Sequence, residues 1–134
     1  MANTVTIRKM LDGPKHAIFH VYLASDGAAG ELTDQVIIDP TTDITPALTA
    51  GADLTVECIW FQVDGFSVRF EFDATADTPI WMLTPGTDSF VDFRDMGGIK
   101  DSGGAGATGK IQITTTGFTA STDQGTFIIK VRKN

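Results

Sequence analysis

Apolar side chains recur at every second residue along much of this chain, and an extended strand is the conformation that gathers such residues onto one face. The plainest case is Ser67-Val68-Arg69-Phe70-Glu71-Phe72, where Val68, Phe70 and Phe72 share a face and Ser67, Arg69 and Glu71 share the other. Near the C-terminus, Phe127, Ile129 and Val131 alternate with Ile128, Lys130 and Arg132. Lys110 to Thr114, Val91 to Arg94, and Val5 with Ile7 repeat the pattern more briefly. Two runs, Ala17 to Leu23 and Val56 to Val63, are more uniformly apolar. Their aromatic and β-branched content predicts central strands covered on both faces, or nearly so. Val36 to Ile38 and Ile80 to Leu83 complete the set, the first stopped at Asp39-Pro40 because proline cannot continue a ladder.

Turn chemistry separates these strands at Asp12-Gly13-Pro14, Asp26-Gly27, Asp64-Gly65, Pro85-Gly86 and Gly97-Gly98. Asp64-Gly65 lies directly between two strong strands and predicts a tight hairpin. No segment sustains an apolar period of 3.6 residues; Thr45 to Ala50, ended by Gly51, offers at most a short helical turn. The longest irregular stretch runs from Lys100 to Gly109, where four glycines and no large side chain predict a loop that is mobile or ordered only by a partner. The pattern therefore predicts an all-β, antiparallel β-sandwich of about nine strands, jelly-roll-like in its connections. At 134 residues it fits a single domain, 1–134. A chain of this size buries roughly 65–70% of its unfolded surface and needs neither metal nor disulfide to fold.

Charge narrows the partners. Seventeen acidic and ten basic side chains give a net charge of −7, which opposes a phosphate backbone. The densest basic spots are Arg8-Lys9 and Lys130, Arg132 and Lys133, one near each terminus, so direct nucleic-acid binding is not expected. The one cysteine, Cys58, lies in the apolar run Cys58-Ile59-Trp60-Phe61 and reads as a buried, inert thiol. The start of the chain, Met1 to Thr6, lacks the regions of a signal peptide, and no apolar stretch approaches the roughly 20 residues that cross a bilayer. The expectation is a soluble chain made in a reducing cytoplasm, with no membrane partner.

The chemical motifs in the chain are incomplete. Gly104-Ala105-Gly106-Ala107-Thr108-Gly109-Lys110 has the glycine and lysine spacing of a phosphate-binding loop. Ile111 stands where a magnesium-holding hydroxyl belongs, however, and a strand follows where a helix is needed. His16 and His20, four apart, are separated by roughly 13 Å in a strand and cannot share one metal. His20 reads instead as a hydrogen-bonded interior or face residue. Asp92, Asp95 and Asp101 match no calcium loop and read as solvated turn residues. Acid pairs that could flank a glycosidic bond are abundant by chance, and nothing marks Ser25, Ser67, Ser89, Ser102 or Ser121 as activated. Trp60 and Trp81 would stack on sugar rings if exposed; lying within apolar strands, they are expected in the core. No catalytic residue, cofactor or metal is expected.

One resemblance extends over most of the chain. It is carried by His16-Ala17-Ile18-Phe19-His20-Val21-Tyr22-Leu23-Ala24-Ser25-Asp26-Gly27 with Gly30-Glu31-Leu32-Thr33-Asp34, by Lys110-Ile111-Gln112-Ile113-Thr114-Thr115-Thr116-Gly117, and by the ending Asp123 to Lys133. These segments resemble small virion structural proteins of tailed, podovirus-like bacteriophages. The resemblance implies a non-enzymatic capsid decoration (cement) protein, located on the capsid surface of the virion and synthesised in the host cytoplasm. It implies the major capsid protein as partner, with self-association into a dimer or trimer. A tail, adaptor or receptor-binding component that recognises carbohydrate is the alternative. Terminal strands suit such contacts, because an open sheet edge can pair with a partner strand. The candidate contact residues are Thr4, Thr6 and Arg8 in the first strand and Lys130 and Arg132 in the last. Lys100, Asp101, Gly103, Gly104 and Gly106 join them from the glycine-rich loop.

Overall fold

The computed structural model describes residues 3–44, 54–84, 88–101 and 104–133. Among these residues ten strands form, all paired antiparallel. They are β1 (Thr4–Asp12), β2 (His16–Ala24), β3 (Gln35–Ile38), β4 (Leu54–Asp64), β5 (Ser67–Phe72), β6 (Thr78–Leu83), β7 (Asp88–Asp92), β8 (Ile99–Lys100), β9 (Ile111–Thr116) and β10 (Gln124–Lys133). A 3₁₀ turn, Arg94–Met96, follows β7. The strand beyond the expected set is β8, whose two residues are too few to show an alternation. The short helix considered at Thr45 to Ala50 lies outside the described residues.

The larger sheet has the order β1-β2-β10-β4-β7, with β8 also paired to β4, and the smaller has the order β3-β9-β5-β6. Setting aside β1 and β8, the remaining strands make two four-stranded sheets, and most successive strands change sheet. That is the jelly-roll arrangement. It corrects the hairpin predicted at Asp64-Gly65: the turn is present, but it carries the chain from β4 in one sheet to β5 in the other. Two adjacent amphipathic strands bury their apolar faces equally well side by side or face to face. Here they stack face to face, and Phe66, directly after the turn, is buried against Phe118 with ring centroids 4.6 Å apart.

Between the sheets lie Phe19, Val21 and Leu23 of β2, Phe127, Ile129 and Val131 of β10, Val68, Phe70 and Phe72 of β5, and Ile111 and Ile113 of β9, all buried. Phe70 and Phe127 meet edge-on across the gap, with centroids 4.8 Å apart and planes at 71°. Such a contact adds about 0.5–1.5 kcal/mol to the burial itself. The alternation that predicted these strands thus places the expected residues inside.

The described part of the glycine-rich stretch, residues 104–109, is hydrogen-bonded within the chain, which corrects the expectation that only a partner would order it. Thr75 N donates to Ala105 O at 3.0 Å, and Thr108 N donates to Asp73 O at 3.1 Å. Thr108 Oγ1 donates to Asp73 Oδ2 at 2.6 Å, so a carboxylate contacts the stretch that resembled a phosphate-binding loop. At the start of the stretch, β8 pairs with Thr55 and Val56 of β4.

Candidate functional site

The outer face of the larger sheet is where the chain departs from a simple polar exterior. β2 and β4 were expected to be covered on both faces; β2 instead alternates between inside and surface, whereas β4 is buried on both faces from Leu54 to Ile59 and reaches the surface only from Trp60 onward. In β4 a register shift opposite Lys130 and Val131, around Glu57, resets the alternation. Beyond it Ile59 and Val63 point inward, while Trp60 and Gln62 point out. Trp60 is therefore 41% exposed rather than buried. Trp81, also expected in the core, is 43% exposed. It pairs across from buried Phe70, but β6 is the edge of its sheet, so one flank stays open while the other meets Phe93 at 5.1 Å.

Register lines up the outward residues in rows. Arg8 (β1), His20 (β2), Ile128 (β10), Trp60 (β4) and Phe90 (β7) are successive partners across the sheet. Thr6, Tyr22, Thr126 and Gln62 form the next row, and Thr4, Ala24, Gln124 and Asp64 the one after. On β10, the central strand of these rows, the outward residue Thr126 is short, whereas its neighbours on β2 and β4 are long. The result is a groove over β10. Its deeper part, about 390 Å³, is lined by Tyr22, Gln62, Asp64, Gln124, Gly125 and Thr126. It continues past His20, Trp60 and Ile128 in a second hollow of about 330 Å³ that shares Gln62 and Thr126.

Hydrogen bonds fix the lining. His20 Nε2 and Thr126 Oγ1 are 2.6 Å apart, and Thr126 Oγ1 donates to Val21 O at 3.3 Å. A hydroxyl has one proton, so when Val21 O receives it, His20 Nε2 carries the proton between the two side chains. Tyr22 Oη donates to Gln124 Oε1 at 3.3 Å. Trp60 stacks on Phe90 with centroids 4.7 Å apart and planes at 22°. Phe90 thereby backs one face of the indole, and Trp60 stands as a wall of the hollow.

At the other end of the face, Glu57 is almost buried, with His16, Lys130 and Arg132 around it. His16 Nε2 lies 3.1 Å from its carboxylate, Lys130 Nζ 3.7 Å and Arg132 Nη1 3.4 Å. His16 and Arg132 are also paired across the ladder, and Arg132 in turn with Thr55 opposite Lys100. Nearby, Arg94 holds Asp92 through Nε to Oδ1 at 2.9 Å and Nη2 to Oδ2 at 2.7 Å. These side-chain bonds pull the Asp92 carboxyl down to about 2. Cys58 beside them is free and buried, and burial pushes its thiol up.

Of the candidate contact residues, Thr4, Thr6, Arg8, Lys100, Lys130 and Arg132 fall on this one outer face, the first three along its β1 margin. Asp101 does not: it is buried, because the pairing of β8 with β4 draws it against the sheet, so the expected solvated aspartate is corrected. Gly104 and Gly106 are exposed elsewhere, on the loop bonded to the β5–β6 connection, and Gly103 lies outside the described residues. Among the serines, Ser25 Oγ accepts from Gly27 N at 3.1 Å in a turn, and Ser102 is outside the described residues.

No protein-family model matches the chain, and no curated protein matches it. Among solved structures it is similar to Peruvianin-I, a cysteine peptidase from Thevetia peruviana latex, at 12% identity and a TM-score of 0.38. That overlap covers 98% of this chain and 62% of the peptidase, so the chain spans less than two thirds of that protein. A cupin superfamily protein from Desulfitobacterium hafniense overlaps at 12% identity and a TM-score of 0.35, over 99% of this chain and 80% of that one. The structure of infectious bursal disease virus, Gx strain, overlaps at 16% identity and 0.36, over 97% and 32%. At such scores the overlaps carry no functional argument.

One cluster escaped the sequence. Asp34, distant in sequence from Glu71 and Asp77, joins them so that the three bring carboxylate oxygens within 4.8 Å of one another. The chain itself engages all three: Arg69 Nε lies 3.2 Å from Glu71, and Gln112 Nε2 donates to Asp34 at 3.2 Å. Asp77 accepts from Ala74 N at 3.2 Å. The groove also went unread, although one signal was there: Trp60 has the parity of Gln62, opposite to Ile59, Phe61 and Val63.

Proposed function

We propose that the chain is a non-enzymatic structural protein of a tailed-phage virion, binding the outer capsid and stabilising it by strand addition at β1. The supporting observation is that strand. β1 is the outermost strand of its sheet, and every side chain along it is exposed except Val5 and Asp12, which are half-buried. Ile7, Met10 and Leu11 are among the exposed apolar residues. Most proteins blunt a long edge with charge, proline or cover, because its free backbone groups pair readily with another chain. Here Arg8 and Lys9 supply only part of that protection.

A strand from the major capsid protein, laid against β1, would gain main-chain hydrogen bonds and cover the apolar side chains. An interface of about 1,000–2,000 Å² suffices for stable binding, and many copies across the joints between capsomers multiply the resistance to expansion. The same edge, paired across a two-fold axis, would account for self-association. A tail or receptor-binding position is the second reading, favoured by the exposed Trp60–Phe90 stack.

Charged substitutions on the edge test the proposal. Ile7→Lys and Leu11→Lys should leave the fold intact, since both positions are exposed, yet abolish co-sedimentation with capsids that lack the protein. Undiminished co-sedimentation of both variants would remove the β1 edge from the interface.

A further inference from the structure

We infer that the groove over β10 binds a neutral saccharide chain. The inference does not rest on capsid docking, because β2 separates the groove from the β1 edge. Neighbouring strands lie about 4.8 Å apart, so the side chains of β2 and β4 form walls roughly 10 Å apart over β10. After allowing for the thickness of the walls, that slot admits a pyranose ring on edge. The two hollows, of about 390 and 330 Å³, fall within the range of small-molecule sites.

The lining matches both surfaces of a sugar. A pyranose presents a patch of C–H groups on its face and hydroxyls around its rim. Trp60 offers a flat π surface for the first, and the stacked Phe90 holds it upright before any ligand arrives. For the rim, Gln62, Gln124 and Thr126 supply amide and hydroxyl donors and acceptors, with Tyr22 and His20 across the slot. Asp64, at one end, is a carboxylate acceptor suited to neighbouring hydroxyls on one ring. Among the described lining residues of both hollows there is no lysine or arginine, and the chain carries a net charge of −7. Phosphorylated, sulfated or uronic saccharides are therefore disfavoured, and uncharged ones fit.

Other occupants fit less well. A second copy laid flat across the face would desolvate the Gln62 and Gln124 amides without reaching into the slot to pair them. A purely apolar ligand would bury the Gln62 and Gln124 amides without offering them partners.

Isothermal titration and tryptophan fluorescence against soluble oligosaccharides of the β-glucan, α-glucan, xylan, mannan and chitin types provide the test. At least one type should bind with a Kd below about 1 mM, and Trp60→Ala should weaken it by about tenfold or more. Gln124→Ala should weaken it too, while Trp81→Ala, on the other sheet, should leave it unchanged. Circular dichroism confirms that each variant is folded. No binding by any of these types, or full binding by folded Trp60→Ala and Gln124→Ala, would overturn the inference. So would salt-sensitive binding of an anionic polysaccharide such as polygalacturonate in place of the neutral ones. None of these results bears on co-sedimentation of the Ile7 and Leu11 variants, so the two readings fail separately.

Discussion

Phe127→Ala is expected to destabilise the protein by about 3–5 kcal/mol in denaturant unfolding. Phe127 sits on β10, in the interior of its sheet between β2 and β4, and is buried against Phe70 from the opposite sheet. Truncation removes the aromatic contact that joins the two layers and opens a cavity that flanking strands, held by their own ladders, cannot close. Domains of this kind are stable by about 5–15 kcal/mol, so the loss would take a large share of the total. The neighbouring residue supplies the contrast. Ile128 points outward beside Trp60 and is only half-buried, so Ile128→Ala should cost no more than about 1.5 kcal/mol. Equal losses at the two positions would mean that the strand's inside and outside are wrongly assigned.

Gly65→Ala is the second large effect expected, at about 2–5 kcal/mol. Gly65 turns the chain from one sheet to the other with φ of +87°, and a Cβ built there would lie 2.1 Å from Asp123 Oδ1. Asp123 cannot simply move away. Its Oδ2 accepts from Thr119 N at 3.1 Å and Ala120 N at 3.0 Å, and the residue is buried. Two costs therefore add: about 1–2 kcal/mol for a side chain in the left-handed region, and the loss of partners for buried amides. Gly30→Ala separates them, because Gly30 has φ of +80° with nothing near its would-be Cβ. It should show the conformational cost alone. If the two alanine variants lose equal stability in the same unfolding assay, the contact with Asp123 is not what makes Gly65 necessary.

Which strands form was legible because alternation is local. Val68, Phe70 and Phe72 needed no knowledge of their neighbours to be placed inside. Which strands pair was not, and Asp64-Gly65 shows why: the same turn serves a hairpin or a crossing between sheets, and the choice rests on β9 and β10, far along the chain. Asp101 was misplaced for a related reason, since its burial follows from a two-residue strand that leaves no periodic trace. Trp60 was misread for another. Its strand is apolar on both parities, and only the shift near Glu57 and the open outer face of the sheet decide that the indole meets solvent. The groove depends on three strands in register, with short Thr126 between longer neighbours, and that arrangement exists only once β2, β10 and β4 are assembled. Thr4, Thr6 and Arg8 lie on β1, the outermost strand of its sheet.

Imaging of intact virions by electron cryomicroscopy tests the proposed role most directly. The account predicts jelly-roll density on the outer capsid, on the order of hundreds of copies per particle, with β1 continuing a sheet of the major capsid protein. Finding the chain only at the tail, missing from the particle, or seated with its β1 edge facing solvent would contradict it.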